Sequence, residues 1–340
     1  MKRIIPLCLA LIMTVGLLAG CGKQNEQTAS DKTRLRVVTT IFPEYDWVRE
    51  ILGDKAENAK LTMLLDNGVD LHSYQPTADD IVKISECDLF IYVGGESDGW
   101  VDDALKNVSN KNQRVINLID VLGESVKTEE MVEGMQETEH DHDHEEDHDH
   151  EEDHNHEEEE ESEYDEHVWL SLKNAEILVS AISGALQEID PEHKDVYSTN
   201  AAAYIEKLSA LDDGYRQTVE TASTKTVLFG DRFPFRYLVD DYGLRYYAAF
   251  AGCSAETEAS FETISFLANK VDELKLPCVL TIEGTQHKIA ETIVQNTAEK
   301  NQKIVTMDSM QSTTSEDVAN GTTYLSVMEK NLAVLKQALG

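Results

Sequence analysis

The sequence predicts an α/β protein with two lobes, each a parallel sheet flanked by helices, joined by one long rigid helix. Two observations lead to this fold class. Short β-branched segments alternate with amphipathic helical patterns in both halves of the chain, which is the order of a parallel sheet with helical crossovers. A helical segment without proline separates the two halves. The 340 residues are enough for two such domains.

The first half of the chain is predicted to form an N-terminal lobe over residues 34–190. Its strands are short and apolar, as the buried strands of parallel sheets are. They are predicted at Arg36–Ile41, Leu61–Leu65, Leu89–Val93 and Val115–Ile119. Helical patterns are found at Tyr45–Leu52, Ala78–Ser85, Trp100–Asn107 and Ala175–Ile189.

Residues 191–223 form the predicted connecting helix. The segment from Glu192 to Ala222 contains no proline and a single glycine, Gly214, and its apolar residues recur near helical spacing. A helix of roughly 30 residues is about 45 Å long at about 1.5 Å per residue. That length suits a strut between two domains better than a core helix.

The C-terminal lobe is predicted over residues 224–340. Its strands are expected at Thr226–Phe229, Arg245–Phe250, Cys278–Ile282 and Lys303–Met307. Its helices are expected at Phe233–Asp241, Phe261–Leu274, Lys288–Ala298 and Thr323–Leu339. Ligands of open parallel sheets bind outside the carboxyl ends of the strands, so two facing lobes predict a cleft between them.

The N-terminus predicts export from the cytoplasm. A short basic segment precedes Ile4–Leu18, an apolar stretch typical of a signal peptide and too short for a comfortable membrane span. The Leu-Ala-Gly-Cys that ends at Cys21 resembles the lipobox of bacterial lipoproteins. This resemblance implies removal of residues 1–20 and lipidation of Cys21, with residues 21–33 as a polar tether and the lipid as the only membrane anchor. An ordinary secretory signal with a chance cysteine is the alternative.

An acidic, histidine-rich run interrupts the first lobe at residues 137–166. It holds seven histidines and nineteen carboxylates but no Lys or Arg, so we expect it to be extended and outside any packed core. Imidazole is a common ligand for zinc, copper and nickel, which predicts accessory metal capture; a solubilising spacer is the alternative. The histidines are His140, His142, His144, His148, His150, His154 and His156. The formal net charge of -36 argues against nucleic acid as a partner.

The cysteines of the exported part are too few for a disulfide-stapled scaffold. Cys87 lies in an apolar run and is predicted to be a small core residue. A bridge between Cys253 and Cys278 is possible in an oxidising compartment, and the sequence leaves it open.

Polar segments follow predicted strands in both lobes. His72 is presented by the loop after the second strand, His167 follows the acidic run, and Asp308 ends the last strand. Two imidazoles with a carboxylate oxygen suit zinc in tetrahedral geometry. These residues predict a metal site in the cleft.

Four segments carry a family resemblance. GVDLHSYQPTADDI resembles the G-x-D-P-H-x-Y-x-P-x-P-x-D segment of the zinc/manganese ABC-transporter substrate-binding lipoproteins. DEHVWLSLKNA is similar to that family's D-P-H-x-W-L-D-P-x-N-A, and YVGGESDGWVDDAL to its G-x-x-x-E-x-W strand and loop. MDSMQS, followed by YLSVMEKNLAVL, is similar to its C-terminal strand, loop and helix. The resemblance runs from about Arg34 to Leu339, and zinc members often carry an acidic His-rich insertion at the same place.

The resemblance implies ligand roles residue by residue. His72 and His167 fall on the two N-lobe histidine ligands, and Asp308 falls on the C-lobe carboxylate ligand. At the third ligand the family has His or Glu, in a setting H-D-A-F-x-Y-F, where this chain has FGDRFPFRY. Asp231 is the nearest side chain there that could donate an oxygen; alternatively, it caps a helix beginning near Phe233.

Glu283, after the third strand of the second lobe, is a further candidate ligand, or else a supporting or surface carboxylate.

The resemblance implies a monomeric, non-enzymatic protein that binds Zn²⁺ as its transported ligand and delivers it to an ABC permease and its ATPase. A manganese-importer binding protein, a secreted zinc buffer and a zinc hydrolase are the alternatives. The His-rich run favours zinc, because Mn²⁺ prefers more oxygen ligands. No His-Glu-x-x-His motif or nucleophile elbow supports a hydrolase.

Overall fold

The computed structural model describes residues 34–106, 108–136, 163–254, 258–284 and 286–340. The predicted signal peptide, Cys21, the tether and the seven histidines of the acidic run lie outside the described residues. Within the described part of the chain, no helix is both long and apolar enough to span a bilayer.

The N-terminal sheet contains four parallel strands in the order β2-β1-β3-β4. The strands are β1 (Leu35–Thr39), β2 (Ala59–Met63), β3 (Leu89–Tyr92) and β4 (Arg114–Asn117). The helices are α1 (Phe42–Leu52), α2 (Ala78–Glu86), α3 (Val101–Leu105), α4 (Leu118–Leu122) and α5 (Leu172–Ile189). The fourth strand ends two residues earlier than predicted, because the side chain of Asn117 caps α4 by accepting from the Asp120 N–H.

The C-terminal sheet repeats this arrangement with the order β6-β5-β7-β8, again all parallel. Its strands are β5 (Thr226–Phe233), β6 (Arg245–Ala251), β7 (Cys278–Thr281) and β8 (Lys303–Thr306). The helices that follow the connecting helix α6 are α7 (Arg236–Tyr242), α8 (Phe261–Leu274), α9 (Lys288–Asn296), α10 (Ser315–Ala319) and α11 (Tyr324–Leu339). The predicted two-lobed α/β fold is confirmed.

One helix boundary in this lobe is predicted wrongly. The sequence predicts a helix from Phe233, but β5 continues to Phe233 and α7 begins at Arg236. Phe233 precedes Pro234, and the proline ring disfavours a helical conformation in the residue before it.

The long connecting helix is present as α6 (Lys194–Thr221), with 28 residues. It is more than a strut, because one face is buried along its length. Tyr215 on this face donates from its hydroxyl to the Met328 carbonyl of α11 at 2.7 Å. The helix is therefore packed into the core that both lobes share.

A continuous apolar core joins the two lobes. It includes Trp47 of α1 and Tyr324 of α11, whose rings meet edge to face at a centroid distance of 5.2 Å. Asp46 of α1 accepts a hydrogen bond from the Tyr324 N–H at 2.8 Å. Separating the lobes would expose this core, which disfavours a wide hinge opening.

A segment of the N-terminal lobe crosses onto the C-terminal lobe, and we call residues 126–136 the interlobe strap. The Lys127 N–H donates to the Tyr237 hydroxyl at 3.0 Å, and the Gln136 N–H donates to the Ala249 carbonyl at 3.0 Å. Thr128 also forms an antiparallel bridge with Tyr164. The strap therefore holds residues 163–165, near the end of the acidic run, against the C-terminal lobe.

The cysteines Cys253 and Cys278 are both free, so the bridge that the sequence left open is not formed. Cys278 is the first residue of β7, whereas Cys253 comes two residues after the end of β6. Since the strands are parallel, the two cysteines lie toward opposite ends of the strands.

Candidate metal centre

The candidate site lies where loops from the carboxyl ends of both sheets meet. His72 sits in a short 3-10 turn after β2, and the Asp70 side chain caps that turn by accepting from the His72 N–H at 3.0 Å. His167 immediately precedes a second 3-10 turn, Val168–Leu170. A short turn therefore fixes the backbone at each histidine.

The two imidazoles face each other. Their Nε2 atoms are 3.3 Å apart. Two nitrogens bound to one tetrahedral zinc, each at about 2.0–2.1 Å, lie about 3.3 Å from each other. The pair already has the spacing that a shared zinc ion requires.

The opposite nitrogen of each imidazole contacts an oxygen. The Nδ1 atom of His167 lies 2.9 Å from the Asp165 carboxylate, and the Nδ1 atom of His72 lies 2.8 Å from the Ser97 hydroxyl. The Glu166 carboxylate is 3.4 Å from the same His72 nitrogen. A neutral imidazole that donates from Nδ1 keeps its Nε2 lone pair for a metal, and such oxygen partners orient metal-binding histidines in many proteins.

Burial and charge oppose each other at His167, whose side chain is fully buried. Burial alone would lower the pKa of His167, but the charge and hydrogen bond of Asp165 outweigh it and raise the pKa above the usual range. Burial would raise the pKa of Glu166, but its contacts with His72 and Ser97 lower it. The site thus has a negative environment that favours a cation.

A third possible ligand, Cys253, completes the group. One ligand atom each from His72, His167 and Cys253 lie within 4.8 Å of one another, and this is the only such group of three in the described part of the chain. The Cys253 N–H donates to the Glu129 carboxylate of the interlobe strap at 2.8 Å. Burial raises the pKa of the Cys253 thiol, and the Glu129 charge raises it further.

Sequence reasoning missed Cys253, although a signal was present. Cys253 follows a predicted strand, Arg245–Phe250, in the same way as His72 follows an earlier one. A search restricted to His and carboxylates at the carboxyl ends of strands passes over it, because a cysteine in an exported protein is first considered for a disulfide.

The position beside the expected third ligand holds an ion pair between the lobes. Arg232 donates to the Asp70 carboxylate at 2.7 Å and to the Ser254 carbonyl at 3.4 Å. Its guanidinium lowers the pKa of Asp70 against the opposing effect of burial. Arg232 therefore connects the loop of His72 to the loop of Cys253.

Asp231 does not join the group of His72, His167 and Cys253. Its carboxylate accepts from the Arg232 N–H at 2.9 Å and from the Ile282 N–H at 3.4 Å. The alternative role as a helix cap is wrong, because Asp231 lies inside β5 and the residue that caps α7 is Phe235.

Asp308 and Glu283 also lie outside this group. Glu283 accepts from the Ser309 N–H at 2.7 Å and from the Ser309 hydroxyl at 2.6 Å, which fixes the loop after β8. Asp308 accepts from the Met310 N–H at 2.8 Å in the same loop. Burial and the nearby Glu283 raise the pKa of Asp308 to about 6.

The two-lobed fold with paired imidazoles between the lobes is typical of the solute-binding class of proteins. The chain belongs to the ZnuA family, described as the periplasmic component A of the zinc-uptake complex, which matches residues 37–338.

Named relatives and a solved structure agree with this family. Zinc-binding lipoprotein AdcA of Streptococcus pneumoniae serotype 4 is 33% identical over 337 residues, covering 99% of this chain and 61% of AdcA. This chain thus spans less than two thirds of that relative. The high-affinity zinc uptake system protein ZnuA of Bacillus subtilis is 31% identical over 325 residues, covering 95% of this chain and 94% of ZnuA. The crystal structure of the Zn(II)-bound ZnuA-like domain of Streptococcus pneumoniae AdcA has a TM-score of 0.66 and 29% identity, covering 90% of this chain and 99% of that domain.

Proposed function

We propose that this protein binds Zn²⁺ between its lobes outside the cytoplasm and delivers it to an ABC permease and its ATPase. The observation that carries the proposal is the pair of imidazole Nε2 atoms 3.3 Å apart, each ring held by an oxygen at Nδ1. The names of the relatives support it: one is a zinc-binding lipoprotein and another a zinc uptake system protein.

The donor set favours zinc over manganese. Mn²⁺ prefers carboxylate, carbonyl and water oxygens, whereas imidazole suits zinc. Among the described residues, no carboxylate belongs to the three-residue group that contains both histidines. The sequence analysis named Asp308, Asp231 and Glu283 as candidate metal ligands, and each is bonded to a backbone N–H group of the nearby chain.

The proposal assigns capture and transfer of zinc, and not catalysis. We further propose a monomer that is anchored outside the bacterial cell membrane by lipid on Cys21, after removal of residues 1–20. The lipobox-like sequence at Cys21 and the relative named as a lipoprotein support this anchor. Metabolic labelling with a palmitate analogue tests it, since Cys21→Ala should abolish labelling.

The test of the zinc site is calorimetry on single and double variants. His72→Ala and His167→Ala each remove one of two nitrogens that coordinate the ion, so the double variant should lose tight zinc binding. Residues 137–162 should be replaced by a Gly-Ser linker in every sample, so that the acidic run does not contribute heat. His193→Ala is the matched control. His193 pairs with Asp190 at the start of α6, and it does not belong to the loops that carry His72 and His167.

The control should bind zinc as the parent protein does. Unchanged zinc affinity in the double variant would overturn the proposed site. A metal competition read by mass spectrometry separates the transported ions, and a preference for Mn²⁺ over Zn²⁺ would instead favour a manganese importer.

A further inference from the structure

We infer that Cys253 is the third zinc ligand and binds as a thiolate, so that the site is built from two histidines and one cysteine. This inference rests on the proposed zinc-binding function and deepens it. It places sulfur after β6 as the C-terminal lobe's ligand, in a chain that has neither His nor Glu at the expected third-ligand position in the segment around β5.

The geometry requires only a small closure of the loop. The three ligand atoms lie within 4.8 Å of one another. A tetrahedral zinc with Zn–N of about 2.0–2.1 Å and Zn–S of about 2.3 Å places sulfur about 3.6 Å from each nitrogen. A movement of about an ångström at the end of β6 would therefore complete the three bonds, a displacement comparable to ordinary thermal motion of a loop.

Two separate elements hold the Cys253 loop against the histidines. The Glu129 carboxylate of the interlobe strap accepts from the Cys253 N–H at 2.8 Å. Arg232 at the end of β5 binds the Ser254 carbonyl and, through Asp70, the loop of His72. A loop that is fixed from both lobes presents its thiol to the cleft in a defined position.

The other two described cysteines differ from Cys253 in ways that argue against a mere packing role for it. Cys87 is 1% exposed, and its sulfur lies 3.2 Å from the Ile84 carbonyl inside the N-terminal lobe. Cys278 is 4% exposed and lies 3.6 Å from the Gln337 carbonyl. Cys253 instead is partly exposed and has two imidazoles as neighbours.

The charge of the ion itself favours a thiolate ligand, against the opposing charge of the nearby Glu129 carboxylate. Two neutral imidazoles bring no charge to the ion, and a thiolate brings one negative charge. The only described cation bonded to the site's loops, Arg232, is paired with Asp70 and so does not repel the incoming ion strongly. Thiolate ligands select zinc and softer ions over Mn²⁺, so Cys253 would set the choice of metal from the C-terminal lobe.

X-ray absorption at the zinc edge tests the sulfur ligand directly. The full chain, loaded with one equivalent of Zn²⁺, should show one sulfur neighbour at about 2.3 Å, resolved from nitrogen at about 2.0–2.1 Å. The Cys253→Ser variant should lose this neighbour and bind zinc at least about 10-fold more weakly, since loss even of a residue that only orients a metal ligand costs about 10- to 100-fold. Cys278→Ser is the matched control, and it should keep both the sulfur neighbour and the affinity.

A second readout uses Co²⁺ in place of zinc. A thiolate bound to cobalt gives a sulfur-to-metal charge-transfer band in the near ultraviolet, which Cys253→Ser should lose and Cys278→Ser should keep. Tight zinc binding with no sulfur neighbour would overturn the role of Cys253 and leave the proposed function intact. Failure of the unaltered chain to bind zinc tightly would overturn the proposed function itself.

Discussion

Gly252 lies between β6 and Cys253, and the space that a side chain would need is already occupied. A Cβ atom built there would be 2.9 Å from the Phe233 carbonyl oxygen and 3.1 Å from Cε1 of His167. The first of these neighbours is backbone and the second is a fully buried ring, so neither moves easily. The approach of the Cys253 loop to His167 therefore depends on the absence of a side chain at this position.

Gly252→Ala should weaken zinc binding about 10-fold, because overpacking costs about 1–3 kcal/mol and pushes the loop away from the histidines. Calorimetry on the protein without the acidic run measures this. The control is Gly184→Ala in α5, where a Cβ atom would have no neighbour within 4 Å. Equal affinities for the two variants would contradict the close approach.

The histidines and the cysteine differ in how far the sequence could predict them. His72 and His167 stand in recognisable motifs, and each donates its backbone N–H to the aspartate two residues before it in the sequence. The role inferred for Cys253 depends on the strap, on Arg232 and on packing between lobes, which no local pattern encodes. A motif can predict a residue that local structure positions, but not one that is positioned by a contact between distant segments.

At the scale of elements, the sequence predicted the eight strands well, because buried parallel strands are short apolar runs bounded by polar residues. The boundary at Phe233 was missed because the apolar pattern continues on both sides of Pro234. Only the backbone conformation that the proline imposes on Phe233 marks the boundary. The interlobe strap was also missed, since residues 126–136 have neither helical nor strand periodicity. Its structure comes from hydrogen bonds to the other lobe.

The contact between α1 and α11 gives a prediction about pH. Burial raises the pKa of Asp46 to about 6 from its ordinary value of 3.8, against the lowering effect of Arg49. The folded state binds the proton more tightly than the unfolded state, so this contribution to stability is present below pH 4 and is lost as the pH rises to about 6.

Asp46→Asn should remove this pH dependence, because the amide resembles the protonated acid and can still accept from the Tyr324 N–H. The variant should be more stable at pH 7 by up to about 3 kcal/mol, the equivalent of a shift of about two pKa units. Urea unfolding between pH 4 and 7 measures it. Asp79→Asn on α2 is the control, since Asp79 is an exposed carboxylate and should change the curve little.

At the scale of the whole molecule, the acidic run begins directly after the interlobe strap and ends at Glu166, next to His167 in the sequence. Imidazoles tethered next to a binding site act at a high effective concentration, although the entropy cost of ordering a chain around one ion should weaken each of them. We therefore expect the run to collect zinc and the cleft to retain it.

Replacing residues 137–162 by a Gly-Ser linker should lower the number of zinc ions bound but preserve one tight site. Equilibrium dialysis with metal analysis counts the ions. A second variant, with all seven histidines of the run changed to Asn, keeps the carboxylates and shows whether imidazole is responsible. Loss of all tight binding in either variant would locate the main site in the run.

The repeated strand order of the two sheets has a consequence for the site. β2 and β6 occupy the same edge position in their sheets, and each is followed by a loop that carries one member of the three-residue group, His72 in one lobe and Cys253 in the other. Two of the three members thus come from loops at equivalent edge positions, whereas His167 comes from the segment before α5. A substitution in one edge loop can therefore exchange a soft ligand for a hard one and leave the ligands of the other lobe unchanged. The metal preference of such proteins can change in this way while the fold stays the same.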